Sequence, residues 1–325
     1  MFTMTANITV DGYKPFKANR IEWVRSVDNI IDSASFVIPA MCRLVNKEKA
    51  YTKVSTDLRF AEGDKVVIEA GYDGRNTVQF IGYISRIKLG YPIGVEVENA
   101  GYLLKHKVRN WNFKKTRLRD VLQLLVAGTD IELSKSINNV EFEPVFLENR
   151  TALQVLEWIK QNYSMNVFFF GNVLYAGLKA GFAARKIRFR LGWNVASDGG
   201  LNYRSYQGSI VKYVLETRNA DGSRTIIKPN NEISDKAAST KVIKTKAKDP
   251  EFQQDVVNHQ NLVQNQKGWE GNFTAFLIPH VEPGDTVDIV DKKFAERSGQ
   301  YFVNSVKGSF DSNGGRQQIE LGYKL

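Results

Sequence analysis

Phe60–Gly74 reads FAEGDKVVIEAGYDG, and Val281–Val290 reads VEPGDTVDIV. A shift of 221 positions lays the second on the first without a gap, placing Gly63 on Gly284, Asp64 on Asp285, Val66 on Val287 and Ile68 on Ile289. The same shift carries Phe80 onto Tyr301, Gly94 onto Gly315, Gly101 onto Gly322, Tyr102 onto Tyr323 and Leu104 onto Leu325. Gly-Asp suits a tight turn, where glycine accepts a positive φ at no steric cost. The alternating Val and Ile that follow mark one buried face of a strand. Any two hairpins can share this grammar. The matched positions are nevertheless those that decide where a strand starts and which side it buries, so a diverged internal duplication is the reading adopted. Gly63, Asp64, Val66 and Ile68 are therefore expected to form a turn and core face equivalent to Gly284, Asp285, Val287 and Ile289.

Composition sets the outer bounds. The 325 residues are 42% hydrophobic and 25% charged, which is ordinary globular usage and enough chain for two or three cores. A single cysteine, Cys42, cannot form an intrachain disulfide, and His106, His259 and His280 stand far apart. Metal-ligand spacing is absent, so no metal or cofactor is expected. The opening MFTMTANITVDGYKP lacks the basic and apolar regions of a secretory signal. The longest apolar run, Val167–Leu178, is broken by Gly171-Asn172 and too short for a bilayer. No membrane insertion is expected, and synthesis in a reducing cytoplasm is. A formal net charge of +10 allows acidic partners.

The period of the pattern changes twice along the chain. Residues 1–104 read as strand after strand, which argues for a small barrel or sandwich. Residues 105–185 carry an amphipathic helix entered at Thr116 and closed at Gly128, a second helix after Asn149, and a hairpin turning at Gly171-Asn172. Strands return over 186–325, with a hairpin turning at Asp221-Gly222 and a helix at about 250–266 that begins at Pro250. Asn230–Lys248 is polar and lysine-bearing and reads as an exposed loop.

Catalytic patterns are missing. No glycine-rich phosphate loop, nucleophile elbow, His-Glu-x-x-His or Cys-x-x-Cys occurs, and no enzyme is expected. Asp285 and Asp288 read as structural, one in a turn and one on a strand. His259 and His280 read as surface or interface residues. The basic run Lys105–Arg119, KHKVRNWNFKKTRLR, holds Lys105, Lys107, Arg109, Lys114, Lys115, Arg117 and Arg119 with Trp111 and Phe113 between them. Cations interleaved with aromatics suit single-stranded nucleic acid. The reading adopted is a solvated connector into the following helix with both aromatics tucked beneath, which leaves the cations as a basic docking surface. Lys186, Arg188 and Arg190 read as the wet face of a strand.

At this point the residues resemble a known family. Ser26–Phe36 (SVDNIIDSASF), Glu62-Gly63-Asp64 with its strand, Gly71-Tyr72-Asp73-Gly74 and Phe80-Ile81-Gly82-Tyr83-Ile84 resemble the N-terminal barrel of bacteriophage tail baseplate hub proteins. Gly299–Tyr323, GQYFVNSVKGSFDSNGGRQQIELGY, is similar to the end of the same family, which includes Mu-like 43 kDa tail proteins, late control protein D-like proteins and T4-like hubs. The resemblance implies an α+β, mainly β fold, with two related antiparallel six-stranded β-barrels and an α+β insert between them. It implies domains at 1–104, 105–185 and 186–325. It also implies a homotrimer in the virion tail baseplate, assembled in the bacterial host cytoplasm. That ring would present a pseudo-sixfold surface to the tail tube protein, hold the spike protein at its other end, and meet DNA only in transit. The N-terminal half of the second barrel is not recognisably similar to that of the first. Two other readings remain: a nucleic-acid-binding β-barrel protein using Lys105–Arg119, and a cell-wall-acting tail protein.

Overall fold

The structure, a computed structural model, describes residues 3–45, 51–55, 60–179, 182, 185–204, 210–218, 223–230 and 239–325. The Asp221-Gly222 turn lies outside them. Among the described residues antiparallel strands dominate, with three α-helices. Six strands of the first third hydrogen-bond in the spatial order Met4–Val10, Lys65–Tyr72, Arg75–Lys88, Ile93–Glu98, Ser33–Ile38 and Arg20–Ser26. Alternation puts Ile8, Val66, Ile68, Phe36 and Val97 on one buried face.

Two separate closed barrels are not what the pairing gives. Among the described residues no pairing returns Arg20–Ser26 to Met4–Val10. Instead Arg20–Ser26 pairs antiparallel with Gly299–Asp311, from Ile21 opposite Phe310 to Ser26 opposite Ser305. That strand belongs to the second β-module, so the two modules make one 13-stranded sheet. The physical reason is that Arg20–Ser26 satisfies its second edge with a strand from far along the chain, which removes the need to close on itself. Parallel pairing also enters, since Lys186–Arg190 runs parallel to Thr286–Val290.

The two turns of the repeat match in detail. Gly63 and Gly284 have φ of 94° and 91°. Gly63 N–H donates to Ile84 O at 2.8 Å, and Gly284 N–H donates to Val303 O at 2.8 Å. Ile84 and Val303 return bonds to the carbonyls of Asp64 and Asp285, each at 2.9 Å. The Asp64 carboxylate accepts from Ala61 N at 2.8 Å, as Asp285 does from Glu282 N at 2.8 Å. Val66, Ile68, Val287 and Ile289 are fully buried.

The shift of 221 is not held beyond this strand. Val66 lies opposite Gly82, whereas Val287 lies opposite Tyr301, because the second hairpin returns two residues sooner. Phe80 and Tyr301 therefore occupy different positions. Gly101 and Tyr102 sit in a short 3-10 helix, while Gly322 and Tyr323 sit in a strand. Replacing either turn glycine with alanine is expected to destabilise by about 1 kcal/mol or more, since L-residues resist positive φ. Gly284→Ala should cost more, because its Cβ would lie 2.5 Å from Phe182 Cε1, while at Gly63 nothing comes nearer than 3.7 Å. Urea denaturation of the two variants checks the order; equal costs would contradict the packing.

Helices α1 (Leu118–Val126) and α2 (Ala152–Tyr163) cover the strands of the insert. Asp120 at the start of α1 accepts from the Thr116 hydroxyl at 2.8 Å, and Thr151 with Gln154 forms a capping box at α2. Helix α3 (Pro250–Gln264) is capped by Asp249, which accepts from Phe252 N at 3.0 Å. Its Phe252, Val256 and Val257 pack into the core of the insert, together with Leu215. That departs from grouping α3 with the second β-module alone. Part of the expected loop Asn230–Lys248 is also a strand: Ser239–Ile243 runs parallel to Val211–Leu215. Ser239 to Val242 are all exposed, Lys241 being the strand's one lysine, and only Ile243 packs on the core.

Candidate functional site

The three parts of the chain converge at one joint. Val27 of the first module, Phe168 and Tyr175 of the insert hairpin, and Phe302 and Tyr323 of the second module form a shared apolar cluster. Trp23 lies directly opposite Gly308 in the register that joins the modules. A Cβ on Gly308 would fall 1.9 Å from Trp23 Cε2, so the indole lies on the bare glycine backbone. Tyr72 Oη donates to Gly315 O at 2.9 Å, and Lys179 reaches Asp28 at 2.8 Å and Asn304 at 3.0 Å.

A polar network runs beside this cluster. Arg25, on the joining strand, donates to Glu282 of the second module at 2.8 Å, and both side chains are largely buried. His280 Nε2 lies 3.5 Å from the same carboxylate, and Arg185 lies 3.4 Å away. Burial alone would push Glu282 up; the His280 and Arg25 partners outweigh it and hold the carboxylate down at about 2. Asp32 accepts from Ser26 N at 2.9 Å, and burial pushes it up to about 7 against the pull of Arg25. Arg25, Asp32, Gln79, Asn99 and Glu282 line a small cavity of about 200 Å³. Nothing in the sequence pattern pointed to Arg25, Asp32 or Glu282, because strand alternation reports a face and not a distant partner.

The basic run leads from the first module, where Lys105 pairs with Glu98, into the insert. Arg109–Phe113 forms a strand paired with Val145–Arg150. Trp111 and Phe113 point inward and are 6% and 4% exposed, stacked with ring centroids 5.8 Å apart. Trp111 Nε1 donates to Arg150 O at 2.9 Å. Neither aromatic is available to a nucleic-acid base, which a stacking platform needs. Lys105 pairs with Glu98, Lys115 with Glu141 at 2.9 Å, and Arg119 donates to Ser134 O at 3.1 Å. Arg109 covers Trp111 at 3.6 Å. Lys107, Lys114 and Arg117 are exposed.

The whole architecture is shared with solved structures. The chain has a TM-score of 0.65 with a tail protein from Neisseria meningitidis MC58 at 14% identity, covering 99% of this chain and 96% of that one. It has a TM-score of 0.63 with the 43 kDa tail protein of prophage MuSo2 from Shewanella oneidensis, at 13% identity and 97% of both chains. A type VI secretion component of E. coli, c3393, itself similar to the T4 tail proteins gp27 and gp5, gives 0.61 at 10% identity, covering 98% of this chain and 76% of that one. This is the phage tail-protein fold. No family description matches the sequence, and no curated protein matches it.

Within the tail-protein fold the residues that could have suggested catalysis are tied into structure. Asp285 is fully buried and accepts from Arg185 at 2.7 Å, and Asp288 pairs with Arg188 at 2.8 Å. His259, on α3, packs edge-on against Tyr323 at 5.2 Å, and burial with nearby Lys179 pushes it down to about 4. Among the described residues no group of three or more His, Cys, Asp or Glu is placed to hold a metal. Among them, too, no helix is long and apolar enough to cross a membrane.

Proposed function

We propose that this chain is the structural hub of a phage or prophage tail baseplate. Three copies form a ring that joins the tail tube protein to the spike protein and frames the channel through which DNA passes. The observation that carries the reading is the likeness over 97–99% of this chain to tail proteins, joined to the single sheet that locks both β-modules into one body. The matching turns at Gly63 and Gly284 support descent of the two modules from one ancestor. Two related modules in each of three chains give six comparable positions, which suits a sixfold tube, and a cyclic ring satisfies every interface without an open end.

In this reading 1–104 and 186–325 are the ring-forming modules and 105–185 is the insert, whose core α3 completes. The protein acts without cofactor or catalysis, in the virion tail. Light scattering on the purified chain, alone and with its tube or spike partner, tests the assembly. The expected mass is about 110 kDa, three times 36.8 kDa. A stable dimer, or a monomer that ignores both partners, would overturn the trimer.

A further inference from the structure

A groove of about 810 Å³ crosses the line between the two β-modules. Met4, Tyr72 and Arg75 line it from the first module, and Phe276, Ile278 and Arg316 from the second. Its base is pinned, because Tyr72 Oη donates to Gly315 O at 2.9 Å and accepts from Leu277 N at 3.4 Å. Two hairpin turns, Tyr72–Arg75 and Asp311–Gly314, make its rim. Phe276 and Ile278 stay 40% and 47% exposed in it. The groove is thus preformed, open and partly apolar.

Arg316 is placed before any partner arrives. Its guanidinium lies 4.5 Å from the centre of the Phe276 ring, and Nη1 donates to Gly315 O at 2.8 Å. A Cβ on Gly314 would fall 2.8 Å from that Nη1, so the bare glycine leaves the guanidinium its room. Arg316 is half-buried, yet it has no ion pair among the described residues. Glu22, which lines the neighbouring groove with Arg316, is taken by Arg20 at 2.6 Å. Arg75, exposed on the other wall, likewise has no ion pair among the described residues. The one carboxylate lining the groove, Asp73, accepts from Thr3 N at 2.7 Å.

We propose that this groove binds an extended segment of another tail protein in which a carboxylate stands beside apolar side chains. Arg316 and Arg75 supply unspent donors for the carboxylate, and a guanidinium already held in place loses little freedom on pairing. Phe276 and Ile278 cover the flanking apolar side chains, and aromatic residues with arginine are the side chains that protein interfaces favour. Single-stranded nucleic acid fits less well, because a stacking platform needs several free rings and Phe276 already carries Arg316. A net charge of +10 favours an acidic partner over a further copy of this chain. The proposal rests on the tail reading and adds to it the partner's chemistry and the place where it binds.

The test is a photo-crosslinking benzoylphenylalanine in place of Ile278 in the full chain, with tail particles purified and illuminated. Asn313, exposed on the rim, carries the crosslinker in a second variant in case the first disturbs folding. The expected product joins either position to a different tail protein, within a segment that holds an Asp or Glu next to apolar residues. Arg75→Glu with Arg316→Gln should cut its yield by about tenfold or more, since the carboxylate then meets a like charge and loses its fixed donor. Reversing the charge of the crosslinked Asp or Glu should restore the yield on the Arg75→Glu chain. Lys292→Glu with Lys293→Glu, outside the groove, should leave it unchanged. Particles that contain the chain but give no product at either position, or a product with DNA or with a second copy of this chain, overturn the groove's assignment and leave the tail reading standing. A yield that ignores the arginine substitutions overturns it too. Absence of the wild-type chain from the particles overturns both.

Discussion

Trp23→Ala is expected to lower the unfolding free energy by about 3–5 kcal/mol, the range for deleting a buried aromatic. Trp23 is 2% exposed and packs in the core of the first module. Its indole also fills the space above Gly308, the residue opposite it in the strand that joins the modules. Gly308→Ala is therefore expected to cost about 1–3 kcal/mol by overpacking. In the Trp23→Ala background most of that cost should vanish, because the clash has lost its partner. The double-mutant cycle, read by urea denaturation, should show a coupling of about 1–3 kcal/mol. Additive effects would mean that the two side chains do not share this space.

Arg25→Leu is expected to be as damaging. It strands the largely buried Glu282 carboxylate without its nearest cation, and breaking a buried pair from one side costs about 3–5 kcal/mol. Arg25→Leu combined with Glu282→Leu should recover most of the loss, because an apolar pair of similar volume needs no charge compensation. The pH dependence separates this from a packing defect. Glu282 sits at about 2 in the folded chain against an ordinary 4.5. Its stabilisation is thus fully present above about pH 4.5 and is lost as pH falls through about 2. Removing Arg25 should raise that midpoint and flatten the loss of stability on acidification over this window. An unchanged acid limb would show that Arg25 does not hold the carboxylate down.

Local grammar was readable in the sequence and long-range pairing was not. The Gly-Asp turns, the alternation of Val66 with Ile68, and the three helices, α3 with its start at Pro250, each depend on residues within a few positions, so period and turn chemistry reveal them. The pairing of Arg20–Ser26 with Gly299–Asp311 depends on which two edges meet, and alternation is silent on that. The same limit hid the parallel partner of Lys186–Arg190 and the strand Ser239–Ile243, which lies within a polar, lysine-bearing run that read as loop. At the joint, Arg25 and Glu282 stand 257 positions apart. The basic run was legible as charge. The connector reading, with Trp111 and Phe113 tucked beneath, agrees with the burial of both rings; that Lys248 pairs with Glu143 beside it needed the fold.

The measurement that reaches the central claim most directly is electron cryomicroscopy of the tail that carries this protein. The hub reading predicts three copies around the tail axis, between tube and spike, with the two β-modules of each copy alternating around six comparable positions. Six copies, a single copy, or a place away from the axis would contradict it.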